Sequence, residues 1–460
     1  MTLRTDQTRV EQWRLLIVRR DGEEILLRPE GTRFALPQVS VPANERIAAN
    51  INWAVERELA LHVVCLYEIC LENRAAPNGV FYHAAACTRP RETVPTDAYW
   101  TSVRPLTAES FSHGGDFAAI RAFRSGVDSP GGQEPFRKPN WFREVAAWVE
   151  QSLQPYRSRL SGQFEQFNAS ATFSLIRFET DGTAVWFKAV GAPNTREFPI
   201  TLSVSRACPA YLPKILATKA EWNAWLAEET SGPSLSAVFE IRHWENAAES
   251  LARLQTLTLS AANDISAKGA RDLRPSSLLS RVAPFFEWLG ETSQDVSLPD
   301  RERFANLDWR ELCATAEDVL TGLHQLRLPE AIGHMDLNPQ NIFCSDQRCV
   351  FLDWAEASVG CPFFSFEYLL QHFRRAFPSN PFLEARFREA YVSRWRGLLE
   401  PGILERAFTL CPLAALFAYA STLWTSMTEQ KSLALPQRTY FLRLARKMSQ
   451  MAEEARAVCS

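Results

Sequence analysis

The chain has 460 residues, 46% of them hydrophobic and 22% charged, with a net charge of −3. This composition is ordinary for a globular protein and gives no support for nucleic-acid binding, which usually shows an excess of basic residues. The N-terminus lacks the layout of a signal peptide, no uninterrupted apolar run reaches the ~18 residues of a membrane span, and no cysteine pair has C-x-x-C spacing. We therefore expect a cytoplasmic protein with reduced thiols and with neither a membrane nor a nucleic acid as partner.

The first part of the chain, residues 1–125, is predicted to form strands around one long helix. The segments "WRLLIVRR" and "EEILLRP" have the alternation of a β-hairpin, and residues 44–62 place apolar side chains at helical spacing. A second helix is predicted at 115–124. The stretch that follows is rich in Gly, Pro and Ser, which predicts a linker at 126–140.

The second part begins with a predicted amphipathic helix at 141–154 and continues with strands over 163–190. Asp181-Gly182 separates two alternating runs there, which is a strong hairpin signal. From about residue 234 the pattern is mostly helical, apart from a loop and strands around 333–353. The expected fold class of the whole chain is α+β.

The segment "HMDLNPQN" places His334, Asp336 and Asn341 on one Pro-containing loop, and the apolar run "VFLDW" that follows carries Asp353. Phosphoryl transfer needs such groups. One carboxylate orients the acceptor hydroxyl and takes its proton, while an Asn carbonyl and a second carboxylate hold Mg²⁺ against phosphate oxygens. His334 is expected to brace the loop. In the alternative interpretation, Asp336 and Asn341 only stabilise a turn.

A kinase site also needs a cation on the nucleotide phosphates and an acidic residue to hold that cation. Lys188 is one of only seven lysines in the chain and lies in the second strand of the predicted hairpin. Glu197, at a predicted helix start, could pair with it. Alternatively, Lys188 is an exposed strand lysine and Glu197 is stabilised only by the helix dipole.

These motifs, in this order, resemble the aminoglycoside phosphotransferase and choline kinase group of small-molecule kinases, which has the protein-kinase-like fold. The resemblance spans roughly residues 141–400. It implies a two-lobed kinase domain, with an N-lobe at 141–233 and a mostly helical C-lobe at 234–460. It also implies ATP or GTP in the cleft, Mg²⁺, and a hydroxyl of a small molecule as the phosphate acceptor.

The same resemblance implies a role for each site residue. The loop over the phosphates would be "FNASATF", which has no glycine and in which a serine and backbone N–H groups would serve. Several positions depart from the group: Met335 stands where a small residue is usual, Asn338 where His is common, and Cys361 and Ser365 follow Asp353 where an acidic motif is frequent. The implied roles are catalytic base for Asp336, Mg²⁺ ligand for Asn341 and Asp353, phosphate contact for Lys188 and Ser170, and partner of Lys188 for Glu197.

Residues 10–125 resemble the Nudix hydrolase fold through "RFALPQ", "AVERELALHVV" and "AYWTSVRPL". A working Nudix box places several Glu residues on one helix to bind Mg²⁺ beside a diphosphate. Glu58 matches that box, but Leu61 and His62 stand where a Glu pair is required. The resemblance therefore implies a Nudix-like α/β/α domain without hydrolase chemistry, because a metal site needs its full ligand count.

The leading interpretation is an Mg²⁺-dependent kinase that phosphorylates a hydroxyl of a small molecule. The alternative is a pseudokinase, a nucleotide-sensing or scaffold protein without transfer activity. A Nudix-type pyrophosphatase is disfavoured by the missing glutamates. The aromatic-rich segment 361–377 is expected to pack in the core, and the acids of the C-terminal half, Glu367 among them, are expected on solvated helix faces.

Overall fold

The structure is a computed structural model that describes the following residues: 10–42, 46–71, 80–89, 94–128, 135–295, 304, 307–345, 347–428 and 435–459. The chain divides into two compact units. The first comprises Met1–Phe198 with Lys214–Glu229, and the second Pro199–Pro213 with Thr230–Ser460. The first unit thus contains both the predicted N-terminal module and most of the predicted N-lobe. Both units mix helices and strands, so the fold class is α+β.

The N-terminal part of the first unit is a seven-stranded sheet with two helices. Its elements are β1 (Val10–Arg19), β2 (Glu24–Glu30), β3 (Arg33–Ala35), β4 (Gln38–Pro42), α1 (Ile47–Leu59), β5 (Val63–Glu68), β6 (Val80–Cys87), β7 (Tyr99–Ser102) and α2 (Gly114–Asp128). The strand order is β3-β2-β1-β6-β5, with β4 paired to β1 and β7 to β2. Only the β1–β6 pairing is parallel among these described strands.

Each helix covers one face of this sheet. Alternate residues of β1 point to opposite faces, as the strand geometry requires. Leu15 and Ile17 are buried in a cluster with α1, whereas Leu16 and Val18 are buried with α2. The layer order is therefore α/β/α, as predicted; the Nudix-like character of this module stays a prediction. Because α2 extends to Asp128, the predicted linker at 126–140 begins inside a helix, and its residues 129–134 lie outside the described part of the chain.

The positions of the incomplete Nudix box lie at the end of α1. Glu58 forms an ion pair with Arg57 next to it. Leu61, which stands where the box requires a Glu, is fully buried in the core of the module. A leucine that fills the core offers no oxygen to a cation, so this position cannot contribute a metal ligand.

The rest of the first unit is a five-stranded antiparallel sheet of order β11-β12-β10-β9-β8. Its elements are α3 (Trp141–Leu153), β8 (Leu160–Ser170), β9 (Phe173–Thr180), β10 (Val185–Val190), β11 (Ile215–Lys219) and β12 (Ala224–Glu228). Trp141 and Val145 of α3 pack with Phe187 against one face of the sheet. The predicted turn at Asp181-Gly182 connects β9 and β10. The helix α4 (Glu197–Ala207) follows β10.

One glutamine joins the two sheets of the first unit. Gln166 of β8 is buried, and its side-chain amide forms hydrogen bonds with both backbone groups of Cys65, with Cys65 N–H as donor at 2.7 Å and Cys65 C=O as acceptor at 2.9 Å. Asn52 of α1 donates a further bond to Gln166 Oε1 at 3.1 Å. Because β5 is the outer strand of its sheet, this amide satisfies backbone groups that would otherwise lack a strand partner.

The second unit is mostly helical. Its elements after α4 are α5 (Ile241–Leu257), α6 (Ala262–Ala267), β13 (Arg271–Leu273), α7 (Pro275–Ser293), α8 (Trp309–Gln325), β14 (Ala331–His334), β15 (Ile342–Cys344), β16 (Cys349–Phe351), β17 (Ala357–Gly360), α9 (Phe363–Ala376), α10 (Pro381–Val392), α11 (Pro401–Thr428) and α12 (Leu435–Cys459). The strands form two small sheets, β13-β17-β14 and β15-β16. The sequence analysis did not predict β13 and β17, because three or four residues are too few to show a periodicity.

Helix α11 is long and apolar enough to cross a membrane by length and composition alone, over Pro401–Met427 with a mean hydropathy of 1.5. The sequence analysis expected no such segment, because no uninterrupted apolar run reaches about 18 residues. Of its apolar window, 61% is buried inside the protein. A single helix of this kind is weak evidence for a membrane span, since the core helix of a soluble protein has the same properties.

We predict that Gln166→Leu lowers the free energy of unfolding by about 1–3 kcal/mol, because two buried backbone groups of Cys65 lose their partner. The matched control is Gln163→Leu on the exposed face of the same strand, for which a change within about 0.5 kcal/mol is expected. Chemical denaturation of the full chain measures both variants. Equal losses in the two would contradict the structural role given to Gln166.

Candidate active site

The imidazole of His334, at the end of β14, connects two loops of the second unit. The backbone N–H of Asp336 donates to His334 Nδ1 at 3.1 Å, and His334 Nε2 lies 2.9 Å from the carbonyl oxygen of Leu352. Because Nδ1 accepts, Nε2 carries the proton and donates. Burial lowers the pKa of His334, which keeps the ring neutral and able to make both bonds. His334 therefore fixes the Asp336 loop against the segment that ends at Asp353.

The carboxylate of Asp336 is held by two neutral donors. Asn338 Nδ2 and the hydroxyl of Tyr368, at 3.3 Å, both donate to Oδ1. Among the described residues these bonds engage Oδ1 alone, so Oδ2 is the oxygen that could take a proton. The pKa of Asp336 is raised, first by burial and then by the negative charge of Asp353. A carboxylate with a raised pKa is a stronger base, as general-base chemistry requires.

Tyr368 was not identified from the sequence as a site residue. It lies on α9, 32 positions after Asp336, and nothing in its local sequence distinguishes it from a core aromatic. Burial, together with the charge of Asp336, raises the pKa of Tyr368 to about 12, so its hydroxyl stays protonated and donates. Asn338 was noticed only as a departure from the family pattern. In the structure, the side-chain amide of Asn338 donates a hydrogen bond to the carboxylate of Asp336.

The hairpin β15–β16 brings the two predicted metal ligands to the Asp336 loop. Asn341 immediately precedes β15, and its Nδ2 donates to the backbone oxygen of Asp336 at 3.2 Å. Across the hairpin, the N–H of Leu352 donates to the backbone oxygen of Asn341 at 2.8 Å. Asp353 follows directly and has the left-handed backbone angles φ 63° and ψ 71°. Such a conformation costs about 1–3 kcal/mol for most residues and is concentrated at functional sites.

The electrostatics of this region favour a cation. The negative charges of Asp353 and Glu356 both raise the pKa of Asp336. Glu356 is neutralised in part by Arg271, whose Nε lies 2.6 Å from its carboxylate. Among the described residues no three His, Cys, Asp or Glu side chains form a dedicated metal cage. Mg²⁺ does not need one, because it is usually bound through one or two carboxylates, phosphates and water. Asn341 and Asp353 therefore fit Mg²⁺.

The predicted pair of Lys188 and Glu197 is formed within the first unit. Lys188 Nζ lies 2.5 Å from Glu197 Oε1, and the two side chains are only 12% and 2% exposed. The ammonium also lies over the rings of Phe173 and Trp225, at 5.4 and 5.6 Å from their centroids. This geometry excludes the alternative of an exposed strand lysine. It also shows that Glu197 does more than interact with the helix dipole.

The segment "FNASATF" is not the open loop that the sequence analysis expected. Ser170 is the last residue of β8, and a two-residue turn of Ala171 and Thr172 leads into β9. The Ser170 hydroxyl accepts a hydrogen bond from the N–H of Thr172 at 3.2 Å. The structure thus gives Ser170 a role in the turn, and a phosphate contact by this residue stays a prediction.

The comparison with protein families gives a match to the phosphotransferase enzyme family over residues 192–405. The resemblance to that family is confirmed for this segment. The phosphotransferase segment includes Glu197, the Asp336 loop and Asp353, but it begins after Lys188. The predicted role of Lys188 therefore depends on its position in the sheet and on its contact with Glu197. A search of curated proteins gives no matching relative.

Several solved structures are similar to about two thirds of the chain. A choline/ethanolamine kinase family protein from Mesorhizobium loti is 15% identical, with 69% of this chain and 99% of that chain covered and a TM-score of 0.44. The macrolide 2′-phosphotransferase from Brachybacterium faecium is 14% identical, with 66% and 98% covered and a TM-score of 0.45. A spectinomycin phosphotransferase in complex with ADP and spectinomycin is 12% identical, with 68% and 98% covered and a TM-score of 0.41.

One carboxylate near Asp336 departs from its sequence-based expectation. Glu367 of α9 was expected on a solvated face, but it is only 3% exposed. Neither of its oxygens accepts a hydrogen bond from any described residue, and the nearest cation is Arg388, at 3.8 Å. The sequence did not reveal that Glu367 is buried, because aromatic residues lie on every face of the predicted helix around it and define no single apolar face. Burial raises the pKa of Glu367 above its usual value.

The raised pKa of Glu367 predicts a pH-dependent stability difference. A carboxyl whose pKa is higher in the folded state than in the unfolded state stabilises the fold at low pH, and this contribution is lost as the pH rises through the folded-state pKa. Glu367→Gln should therefore raise the melting temperature at pH 8 but change it little at pH 4. Glu453→Gln, an exposed control on α12, should show no such trend. A variant equally stabilised at both pH values would contradict the assignment.

Proposed function

We propose that the protein is an Mg²⁺-dependent phosphotransferase that moves the γ-phosphate of ATP, or of GTP, to a hydroxyl of a small molecule. The observation that carries the proposal is the geometry around Asp336. A carboxylate of raised pKa is fixed by two donors and lies on the same braced loop system as Asn341 and Asp353. The phosphotransferase family match over residues 192–405 supports the reaction class.

In this proposal Asp336 is the catalytic base. Its Oδ2 would accept the proton of the acceptor hydroxyl while Oδ1 stays bonded to Asn338 and Tyr368. These two donors keep the carboxylate in one orientation, and a fixed orientation lowers the barrier for a reaction between two bound groups. The neutral His334 maintains the loop and takes no part in proton transfer.

Asn341 and Asp353 would hold Mg²⁺ through the amide carbonyl and the carboxylate. The amide nitrogen of Asn341 is used in its bond to Asp336, which leaves Oδ1 as the atom suited to a cation. Mg²⁺ bound by these residues would neutralise the charge of phosphate oxygens.

Lys188 would contact the nucleotide phosphates, with Glu197 fixing its position, and Ser170 is the proposed further contact at the end of β8. The charge of Lys188 is little exposed, so its attraction for a phosphate would be screened less than at an open surface. For residues 1–125 we propose a Nudix-like fold without hydrolase chemistry that supports β8 through Gln166. We also propose a cytoplasmic location with reduced thiols, as the sequence analysis expects.

We predict that Asp336→Asn lowers kcat by about 10²–10⁴-fold, because the amide cannot accept the proton. The measurement is ADP release from MgATP, with and without a panel of hydroxyl compounds. The control, Asp318→Asn, changes an exposed carboxylate on α8. Wild-type turnover in Asp336→Asn would contradict the proposal that Asp336 is the catalytic base. A wild-type protein that binds MgATP but transfers phosphate to no acceptor would favour the pseudokinase alternative.

We predict a Mg²⁺-dependent thermal stabilisation of the wild type by ATP or GTP that Asp353→Asn abolishes. Ligand at about 100 times its Kd stabilises a fold by roughly 2.7 kcal/mol. Asparagine is the chosen replacement because it tolerates the left-handed backbone of Asp353, so the hairpin should keep its shape. An undiminished MgATP shift in the variant would refute the ligand role. The absence of any shift in the wild type would argue against a nucleotide site altogether.

A further inference from the structure

Two buried cysteines face each other on the hairpin β15–β16 in the second unit. Cys344 is the last residue of β15 and Cys349 is the first residue of β16, and the antiparallel register places them directly opposite each other. Their Sγ atoms lie 2.7 Å apart. The proposed function uses neither thiol, so the pair needs an explanation of its own.

The backbone bonds of the two cysteines show which kind of strand pair they form. The N–H of Cys344 donates to the carbonyl oxygen of Pro233 at 3.0 Å, and the N–H of Cys349 donates to Ser250 Oγ at 3.0 Å. Both N–H groups therefore point away from the facing strand, as in a non-hydrogen-bonded pair, whose Cα atoms lie about 4.5 Å apart. A disulfide needs a Cα separation of about 4.4–6.8 Å, so these two cysteines can be joined without taking the hairpin apart.

The same hairpin carries both proposed Mg²⁺ ligands. Asn341 lies three residues before Cys344, and Asp353 lies four residues after Cys349. The ladder runs without a break from the two sulfur atoms to the bond from Leu352 N–H to Asn341 O, at 2.8 Å. This is a distance of roughly 10 Å at the rise of a β-strand. A change in strand separation at the cysteines is thus passed along the ladder toward both ligands.

The fold protects the two thiols until the hairpin opens. Cys344 is 1% exposed and Cys349 is fully buried. The contact with Cys344, together with burial, raises the pKa of Cys349, and a protonated, covered thiol reacts slowly. The tip of the hairpin lies next to them, closed by a bond from Ser345 N–H to Arg348 O at 2.9 Å, with Gln347 and Arg348 exposed. Local opening of this tip would give an oxidant access to both sulfur atoms.

We propose that Cys344 and Cys349 are a redox switch, in which a reversible disulfide between them weakens the Mg²⁺ site. The effect on Mg²⁺ rests on the proposed function, whereas the disulfide does not. Facing Cβ atoms of two strands lie about 4.5–5.5 Å apart, and a disulfide draws them to about 3.8 Å. The strands would approach each other by about 1 Å, and a displacement of this size at a functional group can cost about 10²-fold in rate. Cytosolic disulfides are usually transient and redox-sensing.

The switch reaction balances with a small disulfide as the oxidant, for example oxidised glutathione. The thiolate of one cysteine attacks a sulfur of the small disulfide, whose S–S bond breaks and releases one thiolate. The second cysteine then attacks the protein sulfur of this mixed disulfide and releases the other thiolate. The two protons of the cysteines pass to the two leaving thiolates. The protein loses two electrons, and the small disulfide gains them and becomes two thiols.

The first measurement locates the disulfide in the full-length protein. Reduced protein is incubated with oxidised glutathione, denatured, alkylated and mapped by peptide mass spectrometry. We expect two thiols to resist alkylation, the link to join Cys344 and Cys349, and dithiothreitol to restore both thiols. Cys361 and Cys411 are an internal comparison, because their Sγ atoms lie 3.8 Å apart in the core. A link between those two instead, or no link at all, would overturn the proposal.

The second measurement is the affinity for MgATP in the reduced and oxidised states. Oxidised wild type should bind MgATP at least about tenfold more weakly, because the metal ligands are displaced, and dithiothreitol should restore the affinity. Cys349→Ala should show the same affinity in both states, and Cys344→Ala tests the same point if the first variant does not fold. Cys313→Ala, on α8, should keep the full response. Equal affinities of reduced and oxidised wild type would refute the switch.

A third measurement separates this inference from the proposed function. MgATP at about 100 times its Kd should slow disulfide formation by up to about 100-fold, because Mg²⁺ held by the hairpin opposes its opening. An unchanged rate in a protein that binds MgATP would refute the link between the cysteines and the metal site and leave the phosphotransferase intact. A reduced protein that does not bind MgATP would contradict the proposed function, and peptide mapping would still decide whether the disulfide forms.

Discussion

The candidate site depends on one neutral, buried imidazole. His334 accepts from the backbone of Asp336 and donates to the backbone of Leu352, so a single ring sets the positions of the Asp336 loop and of the segment that carries Asp353. Both bonds require one particular tautomer, and burial, which lowers the pKa of His334, keeps that tautomer populated. A protonated ring would have to donate from Nδ1, which would place two donors, the ring and the Asp336 amide, against each other. His334 thus fixes both Asp336, the proposed base, and Asp353, a proposed metal ligand.

The charges of the candidate site explain why its arrangement costs folding free energy. Asp353 has a left-handed backbone, and its charge, with that of Glu356, makes the neighbouring Asp336 harder to ionise. Neither the left-handed backbone of Asp353 nor the repulsion between the carboxylates stabilises the fold. Both would become favourable when a divalent cation is bound or when Asp336 accepts a proton. Glu367 of α9 is a second costly charge, because its buried carboxylate accepts no hydrogen bond from the described residues.

The sequence predicted the parts of the site that have fixed spacing and missed those that depend on packing. Asp336, Asn341 and Asp353 could be found because a short loop and one hairpin bring them together, which spacing alone reveals. The pairing of Lys188 with Glu197 followed from a strand and the helix after it. Tyr368 could not be found, since its contact with Asp336 depends on how α9 packs, and packing of distant segments leaves no local pattern. The same limit hid the burial of Glu367, whereas β13 and β17 were missed because three or four residues are too few to show a periodicity.

The role of the N-terminal module follows from where it contacts the second sheet of its unit. Gln166 binds both backbone groups of Cys65 from the middle of β8, and two further residues of the β8–β9 hairpin, Ala169 and Ala171, pack against the cores of the module. This hairpin is the element that the kinase interpretation assigns to the phosphates, and it has no glycine at its tip. Loops that cover phosphates usually use glycine for close backbone approach. A hairpin that packs against a folded module needs less backbone flexibility of its own, because the surface of the module fixes its position. The absence of glycine from the tip of the hairpin is then a consequence of its contacts with the module.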